Sequence, residues 1–233
     1  MPDKSNKPPT LRDMVLGSIW GKALSTAELE RVLAETLDRA VPAGAMVCRK
    51  GEPVDHWVGV IQGLVKLSSV SETGKLTTFA GIPQGAWCGE GSLLKREMRR
   101  YDVIALRDCR MALMPRATFN WLLDTNLAFN RFLLNQLNER LGYFIAMVEY
   151  DRLLGPDARV ARCLASLYSP YLYPATDDEL LLSQEELGYL SGVSRQRVNQ
   201  ALRALEKAGL LKIDYGSIRV LDLEGAGRGR AAR

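Results

Sequence analysis

The sequence holds a single histidine, His56, and four cysteines at 48, 88, 109 and 163, none of them in a CxxC pairing. Metal hydrolases and metal-dependent jelly rolls need clustered histidines and carboxylates, which one histidine does not supply. His56, in the run DHWVGVI, reads as a packed or surface residue rather than a ligand. Scattered cysteines in a reducing compartment behave as small buried hydrophobes, not as a disulfide frame. The first forty-seven residues contain no cysteine, which leaves an N-terminal iron–sulfur cluster without ligands. No apolar run approaches the roughly 18 residues of a membrane span, so no membrane partner is expected. Residues 1–10 are polar and rich in Pro and Lys, with no apolar signal core, so a cytoplasmic location is expected. Nucleophile elbows and phosphate-binding loops are also missing, and an enzymatic role is not expected.

What is present is ordinary in bulk and uneven in distribution. A 233-residue chain that is 47% apolar and 25% charged suits one large or two modest globular domains. The net charge of +4 is concentrated at one end. From Ser194 to Arg233 there are nine Lys/Arg against four Asp/Glu, whereas the preceding 193 residues hold 22 against 23. A localised basic end is the electrostatic footprint of a polyanion partner.

The pattern along the chain predicts an α+β protein. Residues 26–40 read as a short helix with Thr26 as N-cap and Leu29, Val32, Leu33 and Leu37 on one stripe. From about 41 to 115, short β-type runs alternate with glycines, and Gly63, Gly74 and Gly85 fall eleven residues apart. Strands at such spacing predict an antiparallel β-roll or jelly roll. A long helix follows over about 126–154, where Leu134, Leu141 and Val148 recur every seven residues with Leu137 and Phe144 between them, as in a coiled-coil seam. Gly155-Pro156 ends that helix. Helices are then expected near 157–169, 183–190 and 194–208, followed by the hairpin-like LLKIDYGSIRVLDL with its turn at Tyr215-Gly216. Three helices and a hairpin make a winged helix. The expected division is 1–25 N-terminal extension, 26–125 β-roll sensor, 126–155 dimerisation helix, 156–224 winged helix-turn-helix and 225–233 basic tail.

The informative stretch is Leu182–Leu211. Ser183-Gln184-Glu185-Glu186 is a capping box, Ser191-Gly192-Val193 a tight turn, and Ser194 the cap of a second helix whose apolar positions are Val198, Leu202 and Leu205. This is helix, glycine turn, helix. The second helix opens Ser194-Arg195-Gln196-Arg197 and continues Asn199, Gln200 and Arg203, presenting long donors at its N-terminal end. Recognition helices meet base edges there: arginine grips guanine, and Gln or Asn can pair with adenine. The DNA-binding candidates are therefore Ser183, Ser194, Arg195, Gln196, Arg197, Asn199 and Gln200, and double-stranded DNA is the expected partner.

Ser194-Arg195-Gln196-Arg197-Val198 resembles the recognition helix of the Crp–Fnr superfamily of bacterial regulators. Pro42-Ala43-Gly44, Lys50-Gly51-Glu52-Pro53, Gly63-Leu64-Val65-Lys66 and Cys88-Gly89-Glu90-Gly91-Ser92 resemble its β-roll landmarks, over about 200 residues in one order. The resemblance implies a cyclic-nucleotide-binding-like roll, a homodimer on a pseudo-palindromic site, and RNA polymerase as a candidate further partner. It makes Arg195 a guanine reader, with Gln196 where many members have Glu. It also implies effector-pocket candidates Gly89 and Glu90, with Arg100 ten residues later as the phosphate arginine. Tyr101 then stands where a small hydroxyl residue is usual, and Phe144 and Ile145 where the long helix would offer hydroxyls. The favoured reading is therefore a small effector other than cyclic AMP. A constitutive regulator without effector and a cyclic-AMP-responsive one are the alternatives, and no cofactor is assigned.

Overall fold

The computed structural model describes residues 8–74, 76–153, 155–174, 179–214 and 217–222. The helices are α1 (Leu11–Gly17), α2 (Thr26–Glu35), α3 (Glu90–Lys95), α4 (Arg116–Thr125), α5 (Leu127–Leu153), α6 (Pro156–Ser166), α7 (Gln184–Ser191) and α8 (Arg195–Lys207). The strands are β1 (Leu37–Val41), β2 (Met46–Cys48), β3 (His56–Gln62), β4 (Leu64–Val70), β5 (Leu76–Pro83), β6 (Trp87–Cys88), β7 (Asp102–Ala105), β8 (Cys109–Pro115), β9 (Glu179–Leu180), β10 (Leu211–Asp214) and β11 (Ser217–Val220). The chain divides into two compact units, one of residues 1–67 and 82–134, the other of residues 68–81 and 135–233.

The roll is built from two four-stranded sheets, ordered β1-β8-β3-β6 and β2-β7-β4-β5. Its turns are where the glycine spacing put them. Gly63, Gly74 and Gly85 all take positive φ (105°, 78° and 82°), conformations that cost a side-chain-bearing residue a steric penalty. At the β4–β5 turn the Gly74 amide donates to the Ser71 carbonyl at 2.9 Å.

Two boundaries differ from the sequence expectation. The helix expected over 26–40 stops at Glu35, and its N-cap is Ser25, whose hydroxyl accepts from the Glu28 amide in a capping box. Residues 37–41 are strand β1, in register with β8 from Leu37↔Leu113 to Val41↔Cys109. Pro42 disfavours helical geometry just before it, and the β8 edge supplies the hydrogen bonds that a last helical turn would have made. Leu37, assigned to the helix stripe, is consequently 59% exposed.

The segment expected as an N-terminal extension is part of the roll's core from α1 onward. Trp20 is fully buried and lies 5.4–5.8 Å, ring centroid to centroid, from Trp57, Trp87 and Phe129. Trp57 stacks on Trp87 at 4.3 Å, and Phe119 of α4 closes the cluster edge-on. Phe129 arrives from the first turns of α5, which Asn126 caps by accepting the Phe129 amide at 2.9 Å. One aromatic cluster thus joins the segment after α1 to β3, β6, α4 and the start of the long helix. Burial pushes the thiols of Cys48 and Cys109 up, and that of Cys163 up to about 12. All three are therefore protonated and unreactive near neutral pH.

The second unit's C-terminal part is a winged helix of α6, α7 and α8 with a three-stranded sheet ordered β10-β11-β9, in which β9 precedes α7 and the β10–β11 hairpin follows α8. β10 pairs with β11 from Leu211↔Val220 to Asp214↔Ser217. The Tyr215-Gly216 turn and the 225–233 tail lie outside the described residues.

Truncating Trp20→Ala should cost about 3–5 kcal/mol, the usual range for emptying a large buried aromatic site. Urea unfolding of the full chain followed by far-UV circular dichroism measures it. A loss below about 1 kcal/mol would show that the 8–25 segment is not part of the core.

Candidate nucleic-acid interface

The helix-turn-helix is built from three local devices. Ser183 caps α7 by accepting the Glu186 amide, while Glu186 reaches back to the Ser183 amide at 2.8 Å. Gly192 ends α7 in the left-handed conformation (φ 66°), and Ser194 caps α8 by accepting the Arg197 amide at 3.3 Å. The third device was not visible in the sequence. A Cβ on Gly188 would lie 2.9 Å from the Val193 carbonyl oxygen, so the bare glycine lets the turn and the start of α8 close onto α7. Val198, Ala201, Leu202 and Leu205 of α8 are buried, as are Leu187 and Leu190 of α7 and Val160, Ala161 and Leu164 of α6, and α8 packs against both helices.

With that face buried, the opposite face of α8 carries Arg195, Gln196, Arg197, Gln200 and Arg203, all exposed. The seven DNA-binding candidates separate into two groups. Ser183 and Ser194 are caps, and their hydroxyls accept backbone amides. Asn199 is half-buried and donates to the Gln184 side chain at 3.0 Å, which spends its amide on holding α7 to α8. Arg197 forms an ion pair with Asp157 of α6 at 3.3 Å and donates to the Gln200 side-chain oxygen at 3.1 Å. Arg195 and Gln196 project from the first turn.

In the roll, the two adjacent arginines are placed differently. Arg100 is exposed, 70% by side chain, and is held by Glu97 at 2.7 Å. Its neighbour Arg99 is the inward one: it is 4% exposed, and its Nη1 lies 3.1 Å from where a Cβ on Gly89 would stand. Arg99 stands nine residues after Glu90 and Arg100 ten. Arg99 Nη1 is buried and makes no hydrogen bond among the described residues. Gly89 takes φ 94°, and Glu90 behind it is buried at the start of α3. Tyr101 is half-buried. Asp102 accepts the Lys50 amide at 2.8 Å.

Phe144 lies in the other unit, half-buried and edge-on to Tyr143 at 5.4 Å. A cleft of about 1160 Å³ in that unit is lined by Leu76, Leu141, Tyr143, Met147, Leu172 and Leu190 among others; Phe144 is not among its lining residues. Among the described residues no helix is long and apolar enough to cross a membrane.

Residues 38–126 match the cyclic nucleotide-binding domain family and residues 158–225 the Crp-like helix-turn-helix domain family. A Thermus thermophilus transcriptional regulator, SdrP, is 27% identical over 175 residues, 74% of this chain and 83% of its own. The cyclic AMP receptor protein of the same organism is 27% identical over 206 residues, covering 88% of this chain and 93% of its own. The structure of FixK2 from Bradyrhizobium japonicum matches with a TM-score of 0.67 at 18% identity, covering 83% of this chain and 96% of that one, a likeness of fold alone.

Helix propensity alone would have Gly188→Ala stabilise α7 by about 1 kcal/mol. The close carbonyl reverses the sign: the substitution should destabilise the full chain by about 1–3 kcal/mol, as overpacking does. A denaturation midpoint at or above that of the unmodified protein would contradict the packing.

Proposed function

The chain belongs to the Crp–Fnr superfamily of transcription regulators, and from that premise we propose that it acts as a cytoplasmic homodimer on a pseudo-palindromic duplex site. The observation that carries the reading is the exposed N-terminal face of α8, with Arg195 and Gln196 on its first turn and Gln200 and Arg203 beyond. Each recognition helix enters a major groove, and the two half-sites lie about 34 Å apart. Arg195 grips guanine O6 and N7 with two parallel hydrogen bonds. Self-association is supported by α5, on which Leu134, Leu141, Ile145 and Val148 are 50–68% exposed at spacings of seven, four and three. Such a stripe on one side of a helix is costly in water and is covered by a like stripe on a second copy.

The roll binds a small anionic effector other than cyclic AMP. The buried Arg99 guanidinium beside the left-handed Gly89 favours an anion, since its Nη1 makes no hydrogen bond among the described residues and a buried donor left unsatisfied is expensive. Two features speak against cyclic AMP. The residue after Arg99 is Arg100, engaged with Glu97, and Phe144 and Ile145 offer no hydroxyl from the long helix. Effector control then requires different affinities for two arrangements of the protein.

Arg195→Ala should weaken binding to a selected operator by about 1–3 kcal/mol, ten- to a hundredfold, in an anisotropy titration at fixed salt. An unchanged affinity would remove Arg195 from the interface. Titration calorimetry with cyclic AMP should give no binding heat; tight binding would restore the cyclic-AMP reading, and binding abolished by Arg99→Ala would locate it in the roll.

A further inference from the structure

Glutamine is an ambiguous reader. Its amide has an oxygen that accepts and a nitrogen that donates, and a half-turn about its last torsion exchanges them. A free glutamine in the major groove therefore adapts to either kind of base edge. Gln200 is not free. Arg197 lies one turn before it on α8, and the Arg197 Nη1 sits 3.1 Å from the Gln200 amide oxygen. A guanidinium has only donors, so the atom facing it is the oxygen, and the amide nitrogen is turned the other way.

Arg197 is itself held from behind. Its Nε lies 3.3 Å from Asp157 Oδ1, on the first turn of α6, a helix packed against the buried side of α8. Both partners are partly exposed, 45% and 37% by side chain, so the ion pair adds little stability; its attraction draws the guanidinium toward α6 and biases where Arg197 stands. Asn199 between them is occupied by Gln184 and does not compete for Gln200. The arrangement is a chain from α6 carboxylate to guanidinium to amide oxygen, ending in an outward amide nitrogen. A hydrogen bond from a cation also polarises the amide and strengthens its N–H donors.

We propose that Asp157 and Arg197 are positioning residues that lock the polarity of Gln200, so that it reads its base position as a donor and selects a keto base, guanine or thymine, over adenine or cytosine. The proposal rests on the DNA-reading function above. In the major groove, guanine offers O6 and N7 and thymine O4, all acceptors. Cytosine offers only its N4 amino group, and adenine sets its N6 amino group beside the N7 acceptor, so a locked donor meets a donor at cytosine and can use only N7 at adenine, where guanine gives it two acceptors. Unlocked glutamine is the usual adenine partner, so the lock changes the base selected and not merely its strength.

The test is operator selection from a random duplex library with the full-length protein and its variants. Gln200→Ala identifies the Gln200 position as the one whose preference disappears. There the unmodified protein should select guanine or thymine. Arg197→Ala should admit adenine at that position alone, lower affinity for the parent operator about tenfold, and leave the Arg195 position unchanged. Asp157→Asn should relax the same position in the same direction. Gln200→Glu, an acceptor-only side chain held by the same arginine, should shift the preference to adenine or cytosine, which guards against a folding defect in Arg197→Ala.

Adenine selected by the unmodified protein at the Gln200 position would overturn the polarity. An Arg197→Ala profile with unchanged base preference and a salt slope smaller by about one would overturn the lock and make Arg197 a phosphate contact. Failure of the unmodified protein to enrich any sequence would refute the DNA-reading function itself, and this proposal with it.

Discussion

The approach of α7 to the turn preceding α8, permitted by the missing side chain at Gly188, is the constraint on which the presentation of the reading face depends. Val193 donates its amide back to the Gly188 carbonyl at 3.2 Å, and Gly192 reverses the chain in the left-handed region. Together these fix where α8 begins. Its first residues then cannot bury their side chains, because the buried stripe is taken up by Val198, Ala201, Leu202 and Leu205. Long polar side chains at positions 195, 196 and 200 are therefore a consequence of geometry as well as of composition. A helix packed more loosely would let those side chains fold back and spend their hydrogen bonds locally, as Asn199 does with Gln184.

The roll obeys a different economy. Its core is aromatic, with three tryptophans and two phenylalanines in mutual contact, and edge-on or offset rings add to the area they bury. Against that rigid wall stand groups that a core selected for stability alone would exclude: Glu90, Lys66 and Arg99, each less than 10% exposed. Burial lowers the pKa of Lys66, the direction expected when a cation loses water. Charges retained in a desolvated place cost several kcal/mol apiece unless something compensates. Beside Gly89, the Arg99 Nη1 makes no hydrogen bond among the described residues.

Much of this was legible in the sequence, and the misses have physical causes. Glycines at eleven-residue spacing revealed the roll because positive φ is a property of one residue type and needs no tertiary context. The caps at Ser183 and Ser194 were readable for the same reason: a hydroxyl three residues before an unsatisfied amide is a local signal. What failed depended on partners distant in sequence. Residues 37–41 have helical company on one side and become a strand because β8 lies beside them. Trp20 sits in a segment without periodicity, and only Trp57, Trp87 and Phe129 explain it. Arg99 and Arg100 are chemically identical neighbours, and only the loop's path decides which turns inward. Whether Arg197 reads DNA or serves Gln200 hangs on Asp157, forty residues away.

A single recognition helix with a few base contacts reads too little sequence to find one site among many. Each contact is worth about 1–3 kcal/mol, and non-specific phosphate attraction competes everywhere along the duplex. Two such helices joined through the apolar stripe of α5 would double the sites read and make the second binding event intramolecular, with an effective concentration set by the link. The stripe's position bears on this. Leu134 opens it in the unit that carries the roll, whereas Leu141, Ile145 and Val148 continue it in the unit that carries the winged helix, on one unbroken α5. A partner packed along it would touch both units of each copy. Any ligand in the roll that altered the packing near Leu134 would then act on the same interface that fixes the spacing of the two reading heads. Coupling of that kind would need no separate transmission device, because the surface covered in such a dimer would also set the register on DNA.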